Sequence, residues 1–231
     1  MKSLIIIPTY NEKENIQPLI AAIFAQNLGV EILVVDDNSP DGTGNLVREQ
    51  QAQEPRLHLL SRAAKEGLGR AYIAGFEWGL SSGFEILVEM DADFSHRPED
   101  LKALLTAAQS ADFAVGSRYV PGGGTKNWGL MRKIISRGGG VYSRLILGFP
   151  LNDWTGGFNA WKAETLKKIH LPTVKSNGYS FQIELKYKAL RAGCRGVESP
   201  ILFEDRRVGH SKMSSKIVLE ALYRVWLLRA K

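Results

Sequence analysis

The feature that most constrains this chain is an alternation between two kinds of segment. Short, unbroken apolar runs rich in β-branched residues take turns with longer stretches whose apolar residues recur at helical spacing. Residues 3–7 (Ser-Leu-Ile-Ile-Ile) and 31–35 (Glu-Ile-Leu-Val-Val) are runs of the first kind. A strand reads this way when both of its faces are buried, as in a parallel sheet. Between them Ile16, Leu19, Ile20, Ile23 and Phe24 follow helical spacing, with Pro18 early in the helix and Gly29 as a stop. Strand, helix and parallel strand form the unit of a doubly wound sheet.

The alternation predicts helices over 41–53, 67–80 and 98–109, and strands over 57–60, 84–90 and 113–115. After Arg118 the pattern changes. Gly122-Gly123-Gly124 leads to a basic amphipathic stretch, Leu130–Leu147, which reads as broken at Gly138–Gly140. A helix over 180–192, an extended segment over 196–203, a polar loop over 204–215 and a final helix from about Lys216 follow. At 231 residues, with 44% apolar and 23% charged residues, one domain is expected. Its first half, 1–117, would bind a nucleotide-type ligand, and its second half, 118–231, would give specificity. The single Cys194 permits no intrachain disulfide, which fits a reducing compartment. No run approaches a membrane-spanning length, and Leu4–Ile7 is too short for a signal-peptide core. A cytoplasmic protein is expected.

In open α/β sheets ligands bind beyond the carboxyl ends of the strands. Here those ends are acidic. The first runs into Pro8-Thr9-Tyr10-Asn11-Glu12, the second into Asp36-Asp37-Asn38-Ser39, and the strand at 84–90 into Asp91-Ala92-Asp93. Carboxylates gathered at one edge repel unless a cation or hydrogen-bond donors compensate. A hard divalent ion, Mg²⁺ or Mn²⁺, does so with one or two carboxylates and otherwise phosphate oxygens. The alternative is that such aspartates cap the next helix, and for Asp36 the two readings stand level. An EF-hand fails, because Arg48 stands where the loop needs a bidentate Glu. The four histidines and Cys194 show no zinc spacing. Gly67-Leu68-Gly69 opens a helix and suits either an anion or close packing.

These segments resemble the inverting family 2 glycosyltransferases of the GT-A fold, a Rossmann-like α/β architecture with a mostly parallel central sheet and flanking helices. The closer resemblance is to dolichol-phosphate (polyprenol-phosphate) mannose synthases. It rests on Gly116-Ser117-Arg118-Tyr119, Trp128 through Arg137, Asp153-Trp154-Thr155-Gly156-Gly157-Phe158, Gly178 through Glu184, Phe203 through Arg206, and Gly209-His210-Ser211-Lys212. The resemblance implies transfer of mannose from GDP-mannose to a polyprenyl (dolichyl) phosphate, with UDP-glucose or another nucleotide sugar as the alternative donor. Pro8, Tyr10, Glu12, Val35 and Asp37 would hold the guanosine. Asp91, Ala92 and Asp93 would lie at the sugar diphosphate, with Asp93 the better metal ligand and Asp91 the second. Arg118 and Arg132 would bind phosphate, including that of the acceptor. Arg206 and Lys212 would close over the donor. Some relatives carry Gln where this chain has Ser95.

A phosphate monoester is already largely anionic at neutral pH. The proposed nucleophile therefore needs positioning beside another anion more than it needs a base. Net charge is +6. Nucleic acid is not expected as a partner, since no recognised motif for it is present. Leu130–Leu147 and the last helix combine basic and apolar residues, which suits a membrane interface or packing on the sheet. Binding at the cytoplasmic face of a membrane, directly or through a membrane partner protein, is expected.

Overall fold

A computed structural model describes residues 1–176, 178–205 and 223–230. A seven-stranded sheet carries the strands in the order β3-β2-β1-β4-β7-β5-β8. Its first three are β1 (Ser3–Thr9), β2 (Glu31–Asp36) and β3 (Leu57–Ser61); β4 spans Ile86–Glu89, β5 Phe113–Ser117, β7 Asn159–Lys162 and β8 Gly196–Pro200. All neighbours pair in parallel except β7, which runs antiparallel to both β4 and β5. Strands β6 (Gly124–Lys126) and β9 (Leu202–Glu204) form a separate parallel ribbon.

The unbroken apolar runs are explained by helices on both faces. From β1, Leu4 and Ile6 join one core with Tyr72 and Phe76 of α3 (Leu68–Ser81). The intervening Ile5 and Ile7 join a second core with Ile16, Leu19 and Ile20 of α1 (Ile16–Phe24) and Leu101 and Leu104 of α4 (Leu101–Gln109). Helix α2 (Thr43–Gln51) completes the first half. Gly75 lets α3 lie close to the sheet: a Cβ there would sit 2.5 Å from Ile6 Cγ2. Since β1 is flanked by β2 on one side and β4 on the other, strand order reverses at β1. This switch opens a crevice at its carboxyl end.

Three sequence expectations need correction. The helix predicted from Asp41 begins at Thr43, because Asp41 turns its carboxylate back onto the Thr43 amide and hydroxyl. Helix α5 (Leu130–Leu147) is continuous through Gly138–Gly140. A Cβ at Gly138 or Gly139 would meet nothing within 4 Å, whereas one at Gly140 would lie 2.7 Å from the Asn152 carbonyl. The third glycine thus serves close packing and not a break. The segment predicted as extended over 196–203 is two strands in different sheets, β8 and β9. Strand β7 and helix α6 (Ala163–Ile169) carry no clear sequence signal, while α7 (Tyr179–Arg191) lies close to its expected place. Of the polar loop predicted over 204–215, Glu204 ends β9, and residues 206–215 lie outside the described residues with the start of the last helix; residues 223–229 are helical.

Candidate active site

The crevice is assembled first from its loops. Three successive backbone N–H groups after β1 donate to side chains of the β2–α2 loop: Asn11 to Ser39 Oγ (3.1 Å), Glu12 to Thr43 Oγ1 (3.0 Å) and Lys13 to Asp41 Oδ2 (3.1 Å). Asp36 does not cap α2, whose N-cap is Gly42; it braces the loop instead. Its carboxylate accepts from the Thr9 hydroxyl (2.9 Å), the Ser39 hydroxyl (2.6 Å) and the Ser39 amide (3.0 Å). The next residue, Asp37, donates its amide to the Thr9 carbonyl (3.0 Å) and so lies beside the loop that carries Tyr10 and Glu12. It is buried, and Arg62 Nη1 donates to its Oδ1 at 2.6 Å. Burial raises the Asp37 carboxyl above its usual value, against the opposing charge of Arg62. Arg62 also pairs with Glu66, and Lys65 Nζ stands 3.7 Å from the centre of the Tyr10 ring. The Val35 side chain is fully buried in the core, so any part it has in binding runs through its backbone.

The second acidic turn follows β4. The Tyr72 hydroxyl donates to Asp91 Oδ1 (3.0 Å), and the Asp91 amide donates to His96 Nδ1 (3.0 Å). His96 is buried, which pushes its pKa down against the pull of Asp91 and Asp93. A neutral ring accepting at Nδ1 carries its proton on Nε2. The Ser95 amide donates to Asp93 Oδ1 (3.0 Å). Ser95 Oγ is buried without a hydrogen-bond partner among the described residues. Among those residues no three His, Cys, Asp or Glu side chains group as a metal cage.

A cationic and aromatic cluster faces this turn. His96 stacks on Phe158 and meets Phe203 edge-on at 5.5 Å. Phe203 also lies 5.4 Å from the Arg118 guanidinium and 5.3 Å from Trp128, and Arg132 lies 4.0 Å over the Trp128 ring. The Arg118 fork is held by Asp153: Nε and Nη2 each donate at 2.7 Å, and Nη2 reaches Thr155 Oγ1 at 2.9 Å. Burial would raise the Asp153 carboxyl, but the charge and hydrogen bonds of Arg118 overcome it and hold it at about 2. Arg132 pairs with Asp205 at 2.9 Å.

Acidic strand ends at a topological switch, facing arginines across aromatic rings, suit the transfer of a group between two anionic partners. Residues 4–169 match the signature of Glycosyl transferase family 2. The chain belongs to that family. The chain is 48% identical over its full length to the polyprenol monophosphomannose synthase of Mycolicibacterium smegmatis, covering 88% of that protein. It is equally similar, at 48%, to the undecaprenyl-phosphate mannosyltransferase of Micrococcus luteus, covering 96% of it. Among solved structures, a mannosyltransferase from Pyrobaculum calidifontis in complex with GDP-Man and Mn²⁺ superposes with a TM-score of 0.65 at 19% identity. That match covers 98% of this chain and 63% of the other, and it shows the shared GT-A fold.

Within this family 2 glycosyltransferase, the structure brings Tyr10, Glu12 and Asp37 to one loop pair, and gathers Asp91, Asp93, Arg118 and Arg132 around the 95–96 turn and Phe203. Arg206 and Lys212 lie outside the described residues. Sequence reasoning missed Arg62, whose only signal was its place just beyond the end of β3. It also missed a buried polar network beneath Asp91. There Glu89 accepts from Asn159 Nδ2 (2.7 Å), Trp161 Nε1 (3.1 Å) and Gln182 Nε2 (3.0 Å). Lys186, fully buried, donates to the carbonyls of Asp153, Trp154 and Gly156. Burial raises Glu89 against the hydrogen bonds of Asn159, Trp161 and Gln182 and the charge of Lys186, and it lowers Lys186 against the charges of Asp153 and Glu89.

Proposed function

We propose that this protein transfers mannose from GDP-mannose to a polyprenyl phosphate with inversion, giving a β-mannosyl phosphoryl polyprenol. The observation that carries the reading is the facing pair of sites. The Asp91-Ala92-Asp93 turn stands against the Arg118, Trp128 and Arg132 cluster, with Phe203 touching both His96 and Arg118. The two bacterial relatives, both named for mannose or phosphomannose transfer to polyprenyl lipids, support the acceptor class.

In this reading Tyr10, Glu12 and Asp37, with Pro8 and the Val35 backbone, hold the guanosine. Asp91 and Asp93 lie at the diphosphate. The turn offers hard oxygen donors, namely two carboxylates and the Ser95 hydroxyl, which has no hydrogen-bond partner among the described residues, and these fit Mg²⁺ or Mn²⁺. Such an ion, when bound, neutralises charge on the departing diphosphate. An acceptor phosphate oxygen attacks the anomeric carbon as the bond to the diphosphate breaks, and GDP leaves with the electron pair. No proton need be removed from an anionic nucleophile. Arg132, partly exposed beside Trp128, binds the acceptor phosphate; Arg118, locked on Asp153, adds fixed positive charge beside it.

The prenyl chain requires an apolar surface. Helix α5 presents Leu130 (75% exposed), Met131 (69%), Ile134 and Leu145 (77%) to the outside, interspersed with Arg132, Lys133, Arg137 and Arg144. No helix among the described residues is long and apolar enough to cross a membrane. We therefore place α5 on the cytoplasmic face of a bilayer, alone or with a membrane partner protein.

The test is incubation with GDP-mannose, Mn²⁺ or Mg²⁺ and undecaprenyl phosphate. A mannosyl lipid is expected, and Asp93→Ala should abolish it. Product from UDP-glucose but not GDP-mannose would overturn the donor assignment; no product from either would overturn the reading.

A further inference from the structure

Gly157 sits at the floor of the crevice, partly exposed between buried neighbours. A Cβ built on it would lie 3.7 Å from Gln182 Nε2, 3.7 Å from His96 Cε1 and 4.0 Å from Asp91 Oδ2. The absent side chain thus leaves a gap walled by an amide donor, a ring edge and a carboxylate acceptor. Each of these groups is held in place. Tyr72 and His96 fix the Asp91 turn.

The Gln182 amide is oriented from both ends. Its Oε1 accepts from Asn159 Nδ2 at 2.8 Å, and its Nε2 donates to Glu89 Oε1 at 3.0 Å. Asn159 Nδ2 donates both to Glu89 Oε2 and to Gln182 Oε1, so the carbonyl end of Gln182 is taken by Asn159 and its NH₂ end faces Glu89 Oε1. Because Glu89 and Asp91 are two residues apart on an extended segment, their side chains share one face of the sheet. That places the orienting carboxylate directly beneath the acid of the crevice.

We infer that Gln182 reads a hydroxyl of the donor's transferred sugar at the Gly157 gap, with Glu89 as the positioning residue that fixes its amide. This rests on the reading of Asp91 and Asp93 as the sugar-diphosphate site. A donor and an acceptor within 4.0 Å of one point match a vicinal diol. One hydroxyl accepts from Gln182 Nε2 and its neighbour donates to Asp91 Oδ2. A nucleotide without its sugar makes neither contact. The site therefore discriminates sugar from no sugar, and one hexose epimer from another, while leaving nucleoside affinity to the Asp37 loop.

Two variants test this. Glu89→Gln combined with Gln182→Glu exchanges carboxylate and amide across the 3.0 Å bond. Asn159 and Trp161 still find acceptors at position 89, and Asn159 still finds one at position 182, but the donor facing the gap is gone. Gly157→Ala puts a methyl group in the gap at ordinary contact distances, so it folds. Both are measured by calorimetric titration with Mn²⁺ and either GDP or GDP-mannose. GDP affinity should stay within about twofold of wild type, while GDP-mannose affinity falls about tenfold or more, the worth of one or two buried hydrogen bonds. Unchanged GDP-mannose affinity in either folded variant overturns the inference. So does an equal loss of GDP, which would give the gap to the diphosphate. A wild-type protein that binds no sugar nucleotide overturns instead the function proposed above.

Discussion

Asp153→Asn puts the buried charge system to its most direct test. The wild-type carboxylate accepts from Arg118 Nε and Nη2 (both 2.7 Å), the Arg118 amide (3.0 Å) and the Gly156 amide (2.9 Å). An asparagine keeps one acceptor and turns an NH₂ toward donors. It also leaves Arg118 and Lys186 buried with less opposing charge. Removing one partner of a buried pair typically costs about 3–5 kcal/mol. For a domain of this size that lowers the melting temperature by about 6–20 °C.

Part of the loss is linked to protons. The folded Asp153 carboxyl, at about 2, lies below its ordinary 3.8. Its contribution is therefore full above pH 4 and disappears as pH falls through about 2, which amounts to about 2 kcal/mol. Urea unfolding of wild type and variant, at pH 7 and at steps down to pH 2, should show the gap narrowing in that window. A gap below about 1 kcal/mol at pH 7, or one independent of pH, refutes the reasoning. Adding Arg118→Met should recover part of the loss, because the uncompensated charge is removed with its partner; strict additivity would deny the coupling.

Three further outcomes are expected. Arg62→Ala leaves Asp37 buried without its cation, so GDP affinity should fall about tenfold while turnover at saturating donor changes little; titration and steady-state kinetics separate the two. Leu130→Asp with Ile134→Asp should weaken flotation with anionic vesicles without changing GDP binding, since both side chains point outward from α5. Gly138→Ala meets nothing within 4 Å and should stabilise α5 by about 0.5–1 kcal/mol, whereas Gly140→Ala, at 2.7 Å from a carbonyl, should destabilise by about 1–3 kcal/mol.

The first half of the fold was legible because local pattern and tertiary role agree there. Leu4 through Ile7 are apolar at every position because each face of β1 meets a helix layer. The acidic loops were legible because a parallel sheet sends all its carboxyl ends to one edge. Strand β7 was not, since Asn159-Ala-Trp-Lys has neither alternation nor an unbroken apolar run. Its Asn159 is polar because it serves Glu89 and Gln182 on two other elements. The glycines of α5 misled because composition does not say which of them touches another backbone. Glu89 and Lys186 look in sequence like ordinary surface charges, and only the packing of α7 over β4 and the 153–156 loop buries them.

Three of the charged groups proposed here for nucleoside or phosphate already hold an opposite charge of the protein's own. Asp37 holds Arg62, Arg118 holds Asp153, and Arg132 holds Asp205. Ligand affinity at such sites is a difference between exchanged partners and not a sum of new ones. The three pairs differ in how readily they exchange. Arg118 and Asp153 are almost wholly buried and joined by two short bonds, so that pair stays intact and contributes a fixed field. Arg132 and Asp205 are part-exposed and meet at 2.9 Å, so a phosphate can take the guanidinium over. Under the proposed function, this ordering suits the fixed role to the residue nearer Asp153 and the acceptor-binding role to the one on α5, beside the surface that a lipid would reach.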